Sequence, residues 1–373
     1  MNDNINTESV TLIISSNCNL NCIYCYEKHK ENMMMDFDTA SVILFKFLND
    51  EKNTDKALTI EFFGGEPFLN FRLMKELVQW VRERTWKRKE YKFFIDTNGT
   101  LIRDVQKEWI VENRDLVTVG ISLDGNREMH NINRSNSFDR IPISFFKKYY
   151  PEQPVKMTIS KQTLPYIFDG ITYIHKKGLK VTANLAYGQN WCKEDEIIYS
   201  EQLKLLVNWY LQHKEIDICS VISDFNPKYL NEHPERQLKQ HQYCGAGIAM
   251  HCYQGNDNEK EYPCQFFAPI TLGEQRAEKF ERSDIQELYN SSEIDQKCAM
   301  CYARNSCPHC IGSCYLTTGN IWEKDSVMCG FYKQQYKIAA YYYFCLWEQG
   351  ELRNYSETEE LALLNGIQLA QKL

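Results

Sequence analysis

A chain of 373 residues with 43% hydrophobic and 25% charged residues holds enough apolar material for a large core, and this ordinary globular composition excludes an intrinsically disordered chain. The net charge of −7 weighs against a nucleic-acid binder, and no window approaches about 18 uncharged apolar residues, so neither a nucleic-acid nor a membrane partner is expected. The polar start MNDNINTESV carries no signal-peptide pattern; a cytoplasmic location is expected, where fifteen cysteines point to metal rather than disulfides.

Short apolar segments alternate with amphipathic ones through the first half, the pattern of a parallel sheet built from βα units. Strands are expected near Val10–Ser15, Leu58–Phe63, Lys92–Asp96, Val117–Leu123, Val155–Ser160 and Val181–Ala186. Helices are expected near Asp38–Asn49, Asn70–Arg84, Arg103–Glu112, Ser137–Tyr149 and Leu164–Lys177. Six such repeats predict an α/β fold, a partial (β/α)6 TIM-like barrel over residues 1–190. The basic run Arg82–Glu90 reads as the solvated end of a helix. Residues 191–241 read as a bridge, 242–332 as a loop-rich Cys-dense domain held by metal, and 333–373 as a helical tail.

Barrels of this kind carry their chemistry at the C-terminal ends of the strands. The conspicuous motifs all fall there: a cysteine loop after the first strand, GGEP (Gly64–Pro67) after the second, TNGT (Thr97–Thr100) after the third and SLDG (Ser122–Gly125) after the fourth. The cysteines divide into two regions, with Cys18, Cys22 and Cys25 at the start and ten from Cys244 onward. Three thiols fall one short of a closed tetrahedral set. A zinc site completed by His29 satisfies the spacing but leaves the other three rim motifs without a purpose.

C-x3-C-x2-C directly after the first strand resembles the signature of radical S-adenosylmethionine (SAM) enzymes. That resemblance implies that Cys18, Cys22 and Cys25 hold a [4Fe–4S] cluster whose fourth iron is chelated by SAM, and that SAM is reductively cleaved to a 5′-deoxyadenosyl radical. It also implies that Tyr24 borders adenine, that Gly64, Gly65 and Glu66 accept from the methionine ammonium, and that Ser122 and Arg134 bind the ribose or the SAM carboxylate. An electron donor such as flavodoxin or ferredoxin is implied as partner.

The second region resembles the SPASM extension of radical SAM peptide modifiers, which holds two auxiliary [4Fe–4S] clusters and would make three in all. Cys298, Cys301 and Cys307 fit its C-x2-C-x5-C without adjustment, whereas Cys310 and Cys314 bracket the next expected position. The resemblance implies Cys244, Cys252, Cys264 and Cys310 for the first auxiliary cluster, and Cys298, Cys301, Cys307 and Cys329 for the second, with Cys314 a free thiol or an alternative ligand. Zinc ribbons are the alternative for these pairs. His251 and His309 read as surface histidines, and Cys192, Cys219 and Cys345 as small buried hydrophobes.

Together the two resemblances imply hydrogen abstraction from a ribosomally made precursor peptide to install a thioether or carbon–carbon cross-link. Anaerobic sulfatase maturases, which make formylglycine from Cys or Ser, carry an aspartate after the cysteine of YPC. Here Gln265 stands in that position and accepts no proton at physiological pH, so this is the second reading. A non-catalytic iron–sulfur scaffold is the third. Only 17 residues precede Cys18, so no fused leader-binding domain is expected there and a separate leader-binding protein becomes a candidate partner.

Overall fold

The computed structural model describes residues 7–232, 244–281, 296–352 and 355–373; the end of the expected bridge (233–241) and residues 242 and 243 lie outside them. The six expected strands are present with ends shifted by at most three residues: β1 Thr7–Ser15, β2 Ala57–Gly64, β3 Tyr91–Thr97, β4 Val117–Ile121, β5 Val155–Ile159 and β6 Val181–Leu185. Two more, β7 Met250–Gln254 and β8 Glu261–Tyr262, come from the Cys-dense region, for which a loop-rich fold was expected and no strand was placed. The chain divides into two compact units that do not follow chain order.

The first unit comprises Met1–Leu123, Arg134–Gln153 and Gly245–Ser291. Its sheet runs β4-β3-β2-β1-β7-β8, with all neighbours parallel except β7 and β8. β1 is therefore central, which its sequence anticipates: Val10, Leu12, Ile13 and Ile14 are fully buried, a near-continuous apolar run of the kind that parallel strands covered on both faces require. Each such side chain contributes roughly 1.5–3 kcal/mol on burial.

Helix α1 (Phe37–Leu48) starts where the Asp36 carboxylate accepts the Thr39 N–H at 2.8 Å, and it buries Ala40, Ile43, Leu44, Phe47 and Leu48 at three- and four-residue spacing. Helix α2 (Phe71–Arg82) does the same with Leu73, Met74, Leu77, Val78 and Val81. Just past it, Arg88 corrects the reading of the basic run as solvated. Its side chain is buried, ion-paired with Glu8, and hydrogen-bonded to the carbonyls of Asn53 and Lys56. A buried guanidinium needs such partners to be tolerated. Glu8 also takes His251 Nε2 at 3.0 Å, while His251 Nδ1 meets Glu261 at 2.7 Å. This chain of side-chain contacts fastens β7 and β8 to the start of β1.

The second unit comprises Asp124–Asn133, Pro154–Cys244 and Ser292–Leu373. β5 and β6 pair in parallel as a separate ladder. The bridge contains a 20-residue helix, Lys193–Gln212, that packs on the helix Ser326–Glu348, with the Tyr199 and Phe331 ring centres 5.2 Å apart. The tail is helical as expected, completed by Glu357–Ala370. Among the described residues no helix is long and apolar enough to cross a membrane.

Candidate active site

The cysteine loop leaves β1 at Ser15 and returns at Met34, where the two form an antiparallel bridge; Ser16 N–H donates to Met33 O and Met35 N–H to Ile14 O. Asn70 locks this neck by donating to the carbonyls of both Ile14 and Met35. Within the loop Cys25 N–H closes a turn onto Cys22 O at 3.2 Å, and Leu20 N–H points at Cys18 Sγ at 3.5 Å. Burial pushes the Cys18 thiol up to about 11. Lys30 stands close enough that the Cys25 and Cys18 thiolates hold its pKa above the ordinary value although burial works against it.

The GGE segment is pressed against this loop. Gly65 N–H donates to Ser15 O, and Glu66 N–H to Asn17 O at 2.9 Å. A Cβ on Gly64 would stand 2.0 Å from Ser15 O; one on Gly65 would stand 2.4 Å from Asn17 O and 2.9 Å from Cys18 Cβ. Only glycine fits either place.

Glu66 is fully buried. Its carboxylate accepts from Phe68 N–H at 3.1 Å, Thr97 Oγ1 at 2.7 Å and Asn98 N–H at 2.9 Å, so three of roughly four lone-pair sites go to protein donors. Burial pushes it up to about 7, against those hydrogen bonds and the Arg134 charge. It ties the motif after β2 to the motif after β3. From there Asn98 Nδ2 reaches Asn19 at 2.9 Å, and Asn19 reaches Thr100 at 2.8 Å, which anchors the cysteine loop.

Tyr24 is buried, with the Arg134 guanidinium 5.4 Å from its ring centre. Arg134 itself is buried, and its loop is held to the cysteine loop by Asn21 N–H donating to Ser135 Oγ at 3.0 Å, with Ser135 and Asn136 both at φ 51°. Ser122 is half-buried at the end of β4, its N–H on Thr97 O. The residues the resemblance implies for the cluster and SAM, Cys18, Cys22, Cys25, Tyr24, Gly64, Gly65, Glu66, Ser122 and Arg134, therefore all belong to the first unit, whereas Asp124 and Gly125 of SLDG fall in the second. Sequence reasoning gave no role to Asn19, Lys30 or Glu27; Glu27 is buried, and burial pushes its carboxyl up to about 7.

The donor set fits an iron–sulfur cluster: a bound metal would deprotonate the half-buried Cys18 thiol, which is costly to ionise alone, and the glycine cradle leaves the loop room for no side chain. His29, the fourth ligand of the zinc alternative, lies with its ring against Gly273.

In the second cysteine region, a cavity of about 130 Å³ is lined by Cys298, Cys301, Cys307, Cys310, Cys314 and Cys329. Burial pushes Cys307 and Cys314 up to about 12 and Cys310 up to about 11, so these three would bind a metal as thiolates only if the metal itself offset that cost. Cys244 lies within electrostatic reach of Cys310. Cys264 belongs to the first unit, near Tyr26, whose ring stacks on Phe266 at 4.3 Å. Cys252 stands at the middle of β7, fully buried between Thr11 and Tyr262, with Glu61 and Glu261 as charged neighbours.

Two histidines correct the surface reading, since His251 is buried between two carboxylates and His309 is buried against the cavity. Cys219 is buried as expected, whereas Cys192 is half-buried and donates to Asp195 Oδ2 at 3.2 Å.

The Radical SAM superfamily model matches residues 12–199. A cysteine-type anaerobic sulfatase-maturating enzyme of Clostridium novyi is 24% identical over 354 residues, 82% of this chain and 88% of that one. An uncharacterized protein of Methanocaldococcus jannaschii is 33% identical over 176 residues, 45% of this chain and 59% of that one, so this match spans less than two thirds of the relative. Among solved structures, native anSMEcpe with bound AdoMet has a TM-score of 0.66 at 19% identity, covering 92% of this chain and 99% of that one. Streptococcus suis SuiB bound to precursor peptide SuiA has 0.58 at 17%, covering 86% and 75%. These likenesses show the fold, an α/β radical SAM partial barrel followed by a Cys-rich region. With the family model matching half of its length over the cysteine loop and the strand-end motifs, the chain belongs to the radical SAM superfamily and is related to the anaerobic sulfatase-maturating enzymes and the SPASM peptide maturases.

Proposed function

We propose that the protein is a maturase that abstracts hydrogen from a ribosomally made peptide and installs a cross-link, using one SAM-binding and two auxiliary [4Fe–4S] clusters. When bound, the barrel cluster and SAM supply a one-electron cleavage that makes hydrogen abstraction from carbon accessible. Cys18, Cys22 and Cys25 would hold the cluster. Gly64 and Gly65 admit the close approach, Glu66 fixes the rim, and Arg134 with Tyr24 offers a positive, aromatic wall for SAM.

The observation that carries the choice of reaction is Gln265. Its side chain hydrogen-bonds the phenol of Tyr26, next in sequence to Cys25, and its Oε1 is buried without a hydrogen-bond partner. A neutral amide stands there, not a carboxylate. Two other carboxylates, Asp124 and Glu261, are committed elsewhere. Asp124 accepts Thr158 N–H at 2.9 Å and Asn133 Nδ2 at 3.1 Å, and Glu261 holds His251 and Tyr253. Formylglycine formation is the second reading, supported by the likeness to the Clostridium novyi maturase along most of both chains.

The test is incubation of the anaerobically reconstituted chain with SAM, a reductant and a sulfatase-type peptide (Cys-x-Pro-x-Arg or Ser-x-Pro-x-Arg). No aldehyde is expected by hydrazide trapping; efficient aldehyde formation would reverse the ranking. Peptide binding itself is supported by SuiB, whose solved complex contains its precursor peptide.

A further inference from the structure

We propose that Lys324 and Lys333 raise the reduction potential of an iron–sulfur cluster held in the cysteine-lined cavity, so that it accepts an electron more readily than its thiolates alone would allow. This rests on reading that cavity as the second auxiliary cluster site.

The cavity wall is rich in positive charge. Among the described residues, Lys297, Arg304, Lys324 and Lys333 line it, against a single carboxylate, Asp325. That carboxylate is engaged: it accepts Val327 N–H at 2.8 Å and Met328 N–H at 3.4 Å as the cap of the helix Ser326–Glu348. The cations are not equivalent. Lys297 is exposed, so solvent screens it, whereas Lys324 and Lys333 are half-buried. Lys324 reaches three parts of the thiol set. It hydrogen-bonds Cys298 and lies within electrostatic range of Cys307 and Cys314. Lys333 stands beside Cys329. The two lysines thus approach from the Cys298–Cys307 side and the Cys329 side.

A [4Fe–4S]2+ core with four thiolates carries two negative charges, and adding one electron, without a proton, makes three. Fixed cations stabilise the more negative state more, and net charge and hydrogen bonds to the sulfurs are what set such potentials. A hydrogen-bond-donating lysine at Cys298 does both. An acceptor tuned in this way suits oxidative peptide chemistry, in which one electron must leave the substrate after hydrogen abstraction.

The experiment is an EPR-monitored redox titration of the full chain bearing Cys18→Ala, Cys22→Ala and Cys25→Ala, so that only tail clusters contribute. Adding Cys298→Ala and Cys301→Ala identifies the signal of this cavity. Lys324→Met and Lys333→Met are each expected to retain that signal and its iron while moving the reduction equilibrium at least threefold toward the oxidised form, with Lys324→Arg close to the parent. A smaller shift in both Met variants overturns the proposal. So does loss of the signal in both, because the lysines would then hold the cluster in place rather than tune it. If removing Cys298 and Cys301 changes neither iron content nor spectrum, no cluster sits in the cavity and the underlying reading fails instead.

Discussion

The Arg134 guanidinium lies over the Tyr24 ring at 5.4 Å, so a residue from the loop after β4 covers the aromatic that directly precedes the last cysteine of the cluster loop. Both side chains are buried. A cation on an aromatic face contributes about 0.5–2 kcal/mol.

Arg134→Met is therefore expected to weaken SAM binding about tenfold, equivalent to about 1.4 kcal/mol, while iron content stays at the parent value. Equilibrium dialysis with SAM beside an iron assay checks this. Unchanged affinity would assign Arg134 a packing role only. Arg134→Lys is expected to recover part of the loss, since it keeps the charge without the planar fork.

Gly65→Ala places a methyl where Asn17 O stands at 2.4 Å and Cys18 Cβ at 2.9 Å. The backbone must move, at a cost of about 1–3 kcal/mol, and Cys18 moves with it. The expected result is loss of 5′-deoxyadenosine formation and of the iron held at Cys18, Cys22 and Cys25, with the tail cysteines still loaded. Iron analysis together with SAM-cleavage assays distinguishes this from global unfolding.

Burial holds Glu66 at about 7, above its ordinary 4.5, so between these values the folded chain binds a proton that the unfolded chain has released. Its contribution to stability is greatest below pH 4.5 and declines as pH rises through 7, by about 3 kcal/mol at most. Glu66→Gln removes this slope and adds a pH-independent loss, because an amide presents a donor to one of the Phe68, Thr97 and Asn98 donors. The difference in thermal stability between parent and variant, measured from pH 5 to 8, should narrow as pH increases.

Cys310 and Cys314 line the same cavity, one helical turn apart, with Cys314 N–H on Cys310 O at 2.9 Å. Cys310 also neighbours Cys244, whereas Cys314 faces Cys307 and Cys298. Cys310→Ala is expected to lower iron by one cluster from about twelve atoms per chain and to impair product formation, with Cys314→Ala near the parent. The reverse order would make Cys314 the ligand.

The strands were legible because their apolar runs are short and bounded by Gly, Asn and Asp, and the rim because four motifs recur at equivalent strand ends. β7 was not. MHCYQ carries no alternation strong enough to announce a strand, and its place beside β1 is decided by pairing with residues 241 positions away, Ser9 with Met250. The same holds for the burial of Arg88, His251 and Arg134, whose partners Glu8, Glu261 and Tyr24 are set by the fold rather than by local pattern. In the helix Lys193–Gln212 the signal was present, with buried Tyr199, Leu203, Leu206, Val207 and Tyr210 at helical spacing within a segment read as a partly helical bridge.

The seat of β7 beside β1 sets the order in which this protein can be made. The strand that bears the cysteine loop leaves the ribosome well before its second neighbour, which is translated 241 residues later, roughly 12–50 s at ordinary elongation rates. During that interval one hydrogen-bonding edge of an apolar strand stays open. Chaperone attendance on the nascent chain, and metal loading after synthesis rather than during it, are the natural solutions for such a topology, and expression at lowered temperature should raise the yield of chain competent to take up iron.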